Sequence, residues 1–145
     1  MFSFRKIRYG LWAIAGLIVI SLAFTPVTSA QSKNLKIGFS MALTGPLAGA
    51  GKAALIAMQI WKDDINKKGG LLGRQVEFKF YDDATSPSKV PGIYSKLLNV
   101  DKVDLVVSSY GTNEISPAMP IVMRKGLVFM SLFGLAVNDK FNYDR

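Results

Sequence analysis

Two hydrophobic periods alternate from residue 33 onward. Leu35–Met41 (LKIGFSM) is a short apolar-rich stretch that reads as a strand. After a loop containing Gly and Pro, Ala54, Ala57, Met58, Trp61 and Ile65 recur at three- and four-residue spacing. That spacing predicts a helix over Lys52–Lys68 with one buried face. Gly69-Gly70 follows it, and glycine is the residue that tolerates the left-handed conformation after a helix. Gln75–Tyr81 (QVEFKFY) alternates apolar and polar positions, as a half-buried strand does.

The same alternation continues beyond Asp82–Ser88, which reads as a turn. Val90, Ile93, Leu97 and Leu98 share a face of a helix over Ser88–Asn99, with Pro91 tolerated in its first turn. Val103–Val107 is a strand. Ser116 and Pro117 then read as N-cap and first helical residue of a helix reaching Lys125, with Ile115, Met119, Val122 and Met123 as its apolar positions. Gly126 ends it, and Leu127–Met130 is a fourth strand. The order β-α-β-α-β-α-β with short connections predicts an α/β fold: a parallel, doubly wound sheet with helices on both faces. In such folds a ligand sits beyond the carboxyl ends of the strands, near the switch point in strand order. Three loops therefore become candidates: Ala42–Gly51, Ser108–Ser116 and Ser131–Asn138.

The first thirty residues follow a different pattern. Arg5, Lys6 and Arg8 precede an apolar run from Leu11 to Phe24. The run falls short of the ~20 residues that span a bilayer. Pro26 and then Thr28-Ser29-Ala30 follow, which places small residues before a cut at Gln31. Together these features predict a cleavable signal peptide over 1–30 and a periplasmic destination for 31–145. An uncleaved anchor is the alternative, and Ser21, Ala23 and Pro26 speak against it by interrupting the run. The absence of Cys excludes lipid attachment near the cut.

Composition then narrows the chemistry. The 145 residues include no Cys and no His. Thiolate nucleophiles, zinc fingers and any triad with an imidazole base are thereby excluded within this chain. The net charge of +8 comes from 18 basic and 10 acidic residues. Three basic residues and no acids lie in the first thirty, so the remainder carries +5, interleaved along the chain with no basic cluster. Nucleic acid is not an expected partner. A pair such as Lys67-Lys68 reads as the solvated end of a helix.

The first loop, Leu43-Thr44-Gly45-Pro46-Leu47-Ala48-Gly49-Ala50-Gly51-Lys52, approaches two nucleotide motifs. A phosphate-binding loop fails because Gly45 and Gly51 are one residue too far apart and Ala53 replaces the hydroxyl that would bind magnesium. Gly49-x-Gly51-x-x-Ala54 fits the dinucleotide pattern, with Asp82 and Asp83 after the second strand as acidic partners. However, seven residues separate Met41 from Gly49, where that motif needs a tight turn. An exported nucleotide- or dinucleotide-related enzyme fragment is thus the alternative function. The simpler reading is that these glycines let backbone amides approach a ligand. In the second loop, Ser108-Ser109-Tyr110-Gly111-Thr112-Asn113, backbone N–H groups and the Thr112 hydroxyl suit a small carboxylate, or else merely cap the next helix. The third, Ser131-Leu132-Phe133-Gly134-Leu135-Ala136, suits an apolar pocket wall or core.

Several blocks occur in order: Lys36-Ile37-Gly38-Phe39-Ser40, Leu43-Thr44-Gly45-Pro46, Asn66-Lys67-Lys68-Gly69-Gly70-Leu71-Leu72-Gly73-Arg74, Tyr81-Asp82-Asp83 with Pro87, and Ser116-Pro117-Ala118. Over Lys33–Asn138 this resembles the N-terminal part of the periplasmic solute-binding proteins of branched-chain amino-acid ABC transporters. The resemblance implies a type I periplasmic binding fold, whose two lobes close on a solute and dock on an inner-membrane ABC permease. No catalysis, cofactor or metal is implied. It assigns ligand contacts to Gly111 and Thr112, with Tyr110 beside them, to Phe133, Gly134 and Leu135, and to the side-chain wall near Ala50. Leu135 departs from the family by lacking a hydroxyl, and Ala50 by lacking an aromatic ring. The cysteine pair of some members is replaced by Thr85 and Gly111. An amide, a urea-like solute or an aromatic carboxylate is therefore as credible a ligand as a branched-chain amino acid. The length suffices for a signal segment and an incomplete first lobe over 31–145, so a truncated product with weak binding is expected.

Overall fold

The computed structural model describes residues 33–144. The signal-segment expectation for 1–30 lies outside them. Four strands form one parallel sheet: β1 (Leu35–Met41), β2 (Val76–Asp82), β3 (Leu105–Val107) and β4 (Phe129–Met130), in the order β2-β1-β3-β4. β1 is central, pairing with β2 along its whole length, Leu35 opposite Val76 and Met41 opposite Asp82. On its other side Ile37 and Gly38 pair with Leu105 and Val106. The order reverses between β1 and β3, so the crevice beyond their carboxyl ends is the switch point.

Helices cover both faces because alternate residues of each strand point to opposite sides. Phe39 and Met41 of β1, with Phe78 and Phe80 of β2, pack against Ala54, Leu55 and Met58 of α1 (Ala48–Lys67). Phe39 anchors this side, edge-on to Phe78 and stacked on Phe80, both at 5.3 Å between centroids. On the other face Val106 packs with Val90, Tyr94 and Leu97 of α2 (Val90–Asn99) and with Ile121 and Val122 of α4 (Met119–Arg124).

α1 begins earlier than its apolar spacing predicts, and its inner face is narrower. Gly51 and Ala54 are buried, while Ala57 and Trp61 are exposed. Small residues are needed at that point: a Cβ on Gly51 would lie 2.0 Å from the Ala42 carbonyl oxygen. At its far end α1 is stitched to β2 by Asn66, whose amide donates to the Val76 carbonyl (2.9 Å) and accepts from its N–H (2.7 Å). Gly69 and Gly70 turn the chain with positive φ. Arg74 then reaches back to the carbonyls of Lys33 and Asn34 (2.7 and 2.8 Å) and to Asp104 (3.0 Å). The GGLLGR block is thus a tie between α1, β2 and the start of β1.

The helical segment before β4 also differs from expectation. Ser116 does not cap a helix. The chain turns helical at α3 (Thr112–Ile115), tightens to a 3₁₀ turn over Ser116–Ala118, and continues as α4. Pro117 and Pro120 lack the N–H of a regular helix, which accounts for three short pieces in place of one. A last short helix, α5 (Val137–Phe141), follows β4.

Candidate functional site

The loop after β1 is built by Asp82, the last residue of β2. Its carboxylate accepts from the N–H groups of Leu43 (3.0 Å), Thr44 (3.2 Å) and Ala84 (2.8 Å) and from the Thr44 hydroxyl (2.7 Å). Burial pushes this carboxyl upward, but the Thr44 hydroxyl and the Ala84, Leu43 and Thr44 amides outweigh it and hold the group below its ordinary value. Ala84 and Thr85 both adopt left-handed backbone, at φ 56° and 55°. That conformation costs of the order of 1–3 kcal/mol for a residue with a Cβ. It places the Thr85 hydroxyl where it donates to the Thr44 carbonyl (3.0 Å) and accepts from the Leu47 N–H (3.2 Å), at the start of α1.

Beyond β3 the second and third loops are joined. Tyr110 and Phe133 form a parallel bridge, with their rings 5.2 Å apart. The Gly111 N–H donates to the Phe133 carbonyl (3.3 Å), and the Leu135 N–H to the Thr112 hydroxyl oxygen (3.1 Å). The Ser108 hydroxyl, fully buried, accepts from the Leu132 N–H (3.0 Å). Gly111 has φ 105°, a conformation glycine alone adopts easily, and a Cβ there would lie 2.5 Å from a Glu114 carboxyl oxygen. Gly134 is equally tight: its Cβ would lie 2.3 Å from Ile115 Cδ1. The structure thus brings Tyr110, Gly111, Thr112, Phe133, Gly134 and Leu135 into one surface, with Leu135 82% exposed.

Ala50 is placed differently. It is half-buried in the first turn of α1, and the first-loop residue against Gly111 is Leu47, whose Cδ1 would lie 3.2 Å from a Cβ there. The dinucleotide alternative loses its parts. Gly49 and Gly51 lie inside α1, where Gly51 serves helix-strand packing, and the Asp82 carboxylate is engaged by the loop itself. A four-residue α3 also carries little macrodipole, so whatever affinity this loop has for an anion comes from its amides and hydroxyls.

Two buried acids underlie this surface. Asp83 is fully buried, accepting from the Thr85 N–H (3.0 Å) and the Ser109 hydroxyl. Glu114, 3% exposed, lies behind Gly111. Burial pushes its carboxyl up, its own backbone N–H offsets part of this, and the Asp83 charge adds to the rise. On the α2 face the buried Tyr94 hydroxyl donates to the Val107 carbonyl (2.6 Å), and burial raises its phenol. Sequence reasoning did not single out Thr85, Ser109 or Glu114 as parts of the site. The signal for the first two was present, since short polar residues directly after strands commonly bond across loops. Nothing in the pattern marks Glu114 as buried.

Two cavities among the described residues border the ends of these loops. One, about 180 Å³, is lined by residues including Ile115, Met119, Ser131 and Tyr143. The other, about 490 Å³, is an apolar trough on the α1 face between Trp61, Phe78, Leu105 and Met130. The switch-point surface is a wall, open on its far side.

Comparison with known proteins is consistent with this layout. Residues 34–144 match the family model described as periplasmic binding protein. The Leu/Ile/Val-binding protein BraC3 of Rhizobium johnstonii is 31% identical over 83% of this chain and 32% of its own length. A branched-chain amino acid transporter substrate-binding protein from Streptococcus pneumoniae, solved with isoleucine, superposes with a TM-score of 0.70 at 25% identity, over 76% of this chain and 32% of that one. A fatty acid ABC transporter substrate-binding protein from Thermomonospora curvata superposes with a TM-score of 0.62 at 27% identity, over 68% and 25%. The chain spans about a third of the length of the curated relatives it matches. With its parallel sheet, its strand order and its matched residues, the chain belongs to the periplasmic binding protein family, in the leucine-binding-like type I form.

Proposed function

We propose that residues 31–145 supply one wall of the solute site in an exported, non-enzymatic binding component of an ABC importer. It is directed to the periplasm by the segment 1–30 and works with an inner-membrane permease. The solute is a small carboxylate, either a branched-chain amino acid or a related amide or aromatic acid. The observation carrying this reading is that Gly111 and Thr112, joined to Phe133 and Leu135, lie at the switch point of a chain in this family. The Thr112 N–H and the Thr112 hydroxyl proton would meet the carboxylate there, the Gly111 N–H being held by the Phe133 carbonyl. The exposed Leu135 side chain would meet the apolar part of the solute, without adding a hydrogen bond.

Magnitudes set the strength of such a wall acting alone. Two or three charge-assisted hydrogen bonds contribute ~1.5–3 kcal/mol each, against an association cost of at least ~4 kcal/mol. The remainder, about 5 kcal/mol at most, corresponds to a Kd no tighter than ~0.2 mM. The test is an amide chemical-shift titration of the ¹⁵N-labelled chain with L-isoleucine, benzoate and acetate in turn. Saturable millimolar shifts at Gly111, Thr112 and Leu135 are expected. Shifts elsewhere only, or none with any carboxylate, would sink the assignment.

A further inference from the structure

Asp83 and Ser109 come from strands that are not neighbours. Asp83 directly follows β2 and Ser109 lies two residues past β3, while β1 runs between those strands. Neighbouring strands are ~4.8 Å apart, so the two chain positions are separated by about two such spacings. Even so, the Ser109 hydroxyl donates to one Asp83 carboxyl oxygen, over the end of β1. The Asp83 N–H donates to the carbonyl of Met41, the last residue of β1 (3.2 Å), so the link is fastened to all three strands. Both residues are fully buried.

The link continues in each direction. The other Asp83 carboxyl oxygen accepts from the Thr85 N–H, and the Thr85 hydroxyl holds Thr44 and Leu47 of the first loop. On the opposite side Ser109 leads directly into Tyr110 and Gly111, which carry the third loop with them. Hydrogen bonds thus lead from the start of α1 through Thr85 and Asp83 to Ser109, two residues before Gly111. Its one side-chain-to-side-chain joint is Ser109 to Asp83. Because both partners are fully buried, losing the joint leaves a polar atom unsatisfied away from solvent.

We infer that Asp83 and Ser109 are positioning residues: their hydrogen bond across the end of β1 sets the spacing between the first and second loops. It thereby fixes the geometry with which Gly111 and Thr112 meet a carboxylate. The ligand half of this statement rests on the proposed function, whereas the clamp itself does not.

The experiment compares the ¹⁵N-labelled full chain with Ser109→Ala, Asp83→Ala and the double variant. Amide hydrogen exchange is measured first without ligand. Ser109→Ala should raise exchange about tenfold at Gly111 and also at Leu47 and Thr85, across the joint. Phe39 and Leu97 in the two cores should be unchanged. In the Asp83→Ala background the further effect of Ser109→Ala should vanish, as a coupled pair requires. Faster exchange confined to residues 108–111, uniform loosening of the sheet, or additive effects in the double variant would each overturn the clamp. Acetate is then titrated, and shifts at Gly111 and Thr112 should need roughly tenfold more acetate in Ser109→Ala. Equal affinity in both proteins overturns the positioning role. If the unsubstituted chain shows no acetate shifts at all, the solute-site reading fails, and the exchange pattern still decides the clamp.

Discussion

Gly111 and Glu114 show how little freedom single positions in the second loop have. A methyl group on Gly111 would meet both the unfavourable φ of 105° and the Glu114 carboxyl. Gly111→Ala should therefore cost about 1–3 kcal/mol in denaturant unfolding and weaken any carboxylate response. Glu114 is the converse case, a group whose burial raises its folded pKa. The folded state then holds a proton that the unfolded state releases, so stability falls as pH rises from the ordinary glutamate value through the folded one. Glu114→Gln removes that loss. Its melting temperature should exceed that of the unsubstituted chain at pH 8, and the gap should close by about pH 4, where both states are protonated. Asp82 has the opposite sign: its contribution is present above the ordinary aspartate value and is lost as pH falls through the lowered folded one. Asp82→Ala should cost roughly 1.5–3 kcal/mol and expose the amides of Leu43 and Thr44 to exchange.

Among the elements, α1 and β1 are the pair on which the site depends, and their closeness is set by Gly51. With the Ala42 carbonyl 2.0 Å from a prospective Cβ, Gly51→Ala must push α1 away from the strand. A loss of about 1–3 kcal/mol is expected, together with perturbed amides from Leu43 to Leu47. At this scale the sequence was most readable. The strands β1 and β2 and the helix α2 lie close to where periodicity predicts them, because each buries a face in the described core and burial writes the pattern. α1 was read four residues short, since its first turn, Ala48–Gly51, is small residues without a hydrophobic period. The segment after Thr112 was misread because Ser116-Pro117 is a good helix start locally, yet Glu114 and Ile115 are already buried in a helical turn. The three loops do follow strands β1, β3 and β4, as the element order predicts. Their internal wiring through Asp82, Thr85 and Ser109 was not legible, because hydrogen bonds across 26 to 41 residues leave no local period.

For the whole molecule, the two sheet faces are unequally covered. The α2 and α4 face is closed over Tyr94, Leu97 and Val122, all fully buried. On the α1 face the trough leaves Leu105, Met130 and Leu132 more than 40% exposed, beside Trp61 of α1 at 44%. Apolar surface of that kind takes up hydrophobic dyes. Met130→Lys should lower dye fluorescence of the chain with little change in stability, whereas Tyr94→Ala, in the closed face, should cost about 3–5 kcal/mol.

The central position of β1 also dictates an order of assembly. Its full-length partner β2 begins 41 residues after it, Leu35 to Val76, while its other partner β3 begins 70 residues after it, Leu35 to Leu105. Contacts between distant residues form later because the intervening chain must first be closed into a loop. By that measure β1 should meet β2 before β3, while the β3–β4 pair, Val106 to Phe129, closes a shorter loop of its own. The proposed solute surface draws on both pairs, so it should be complete only once β1 and β3 have met.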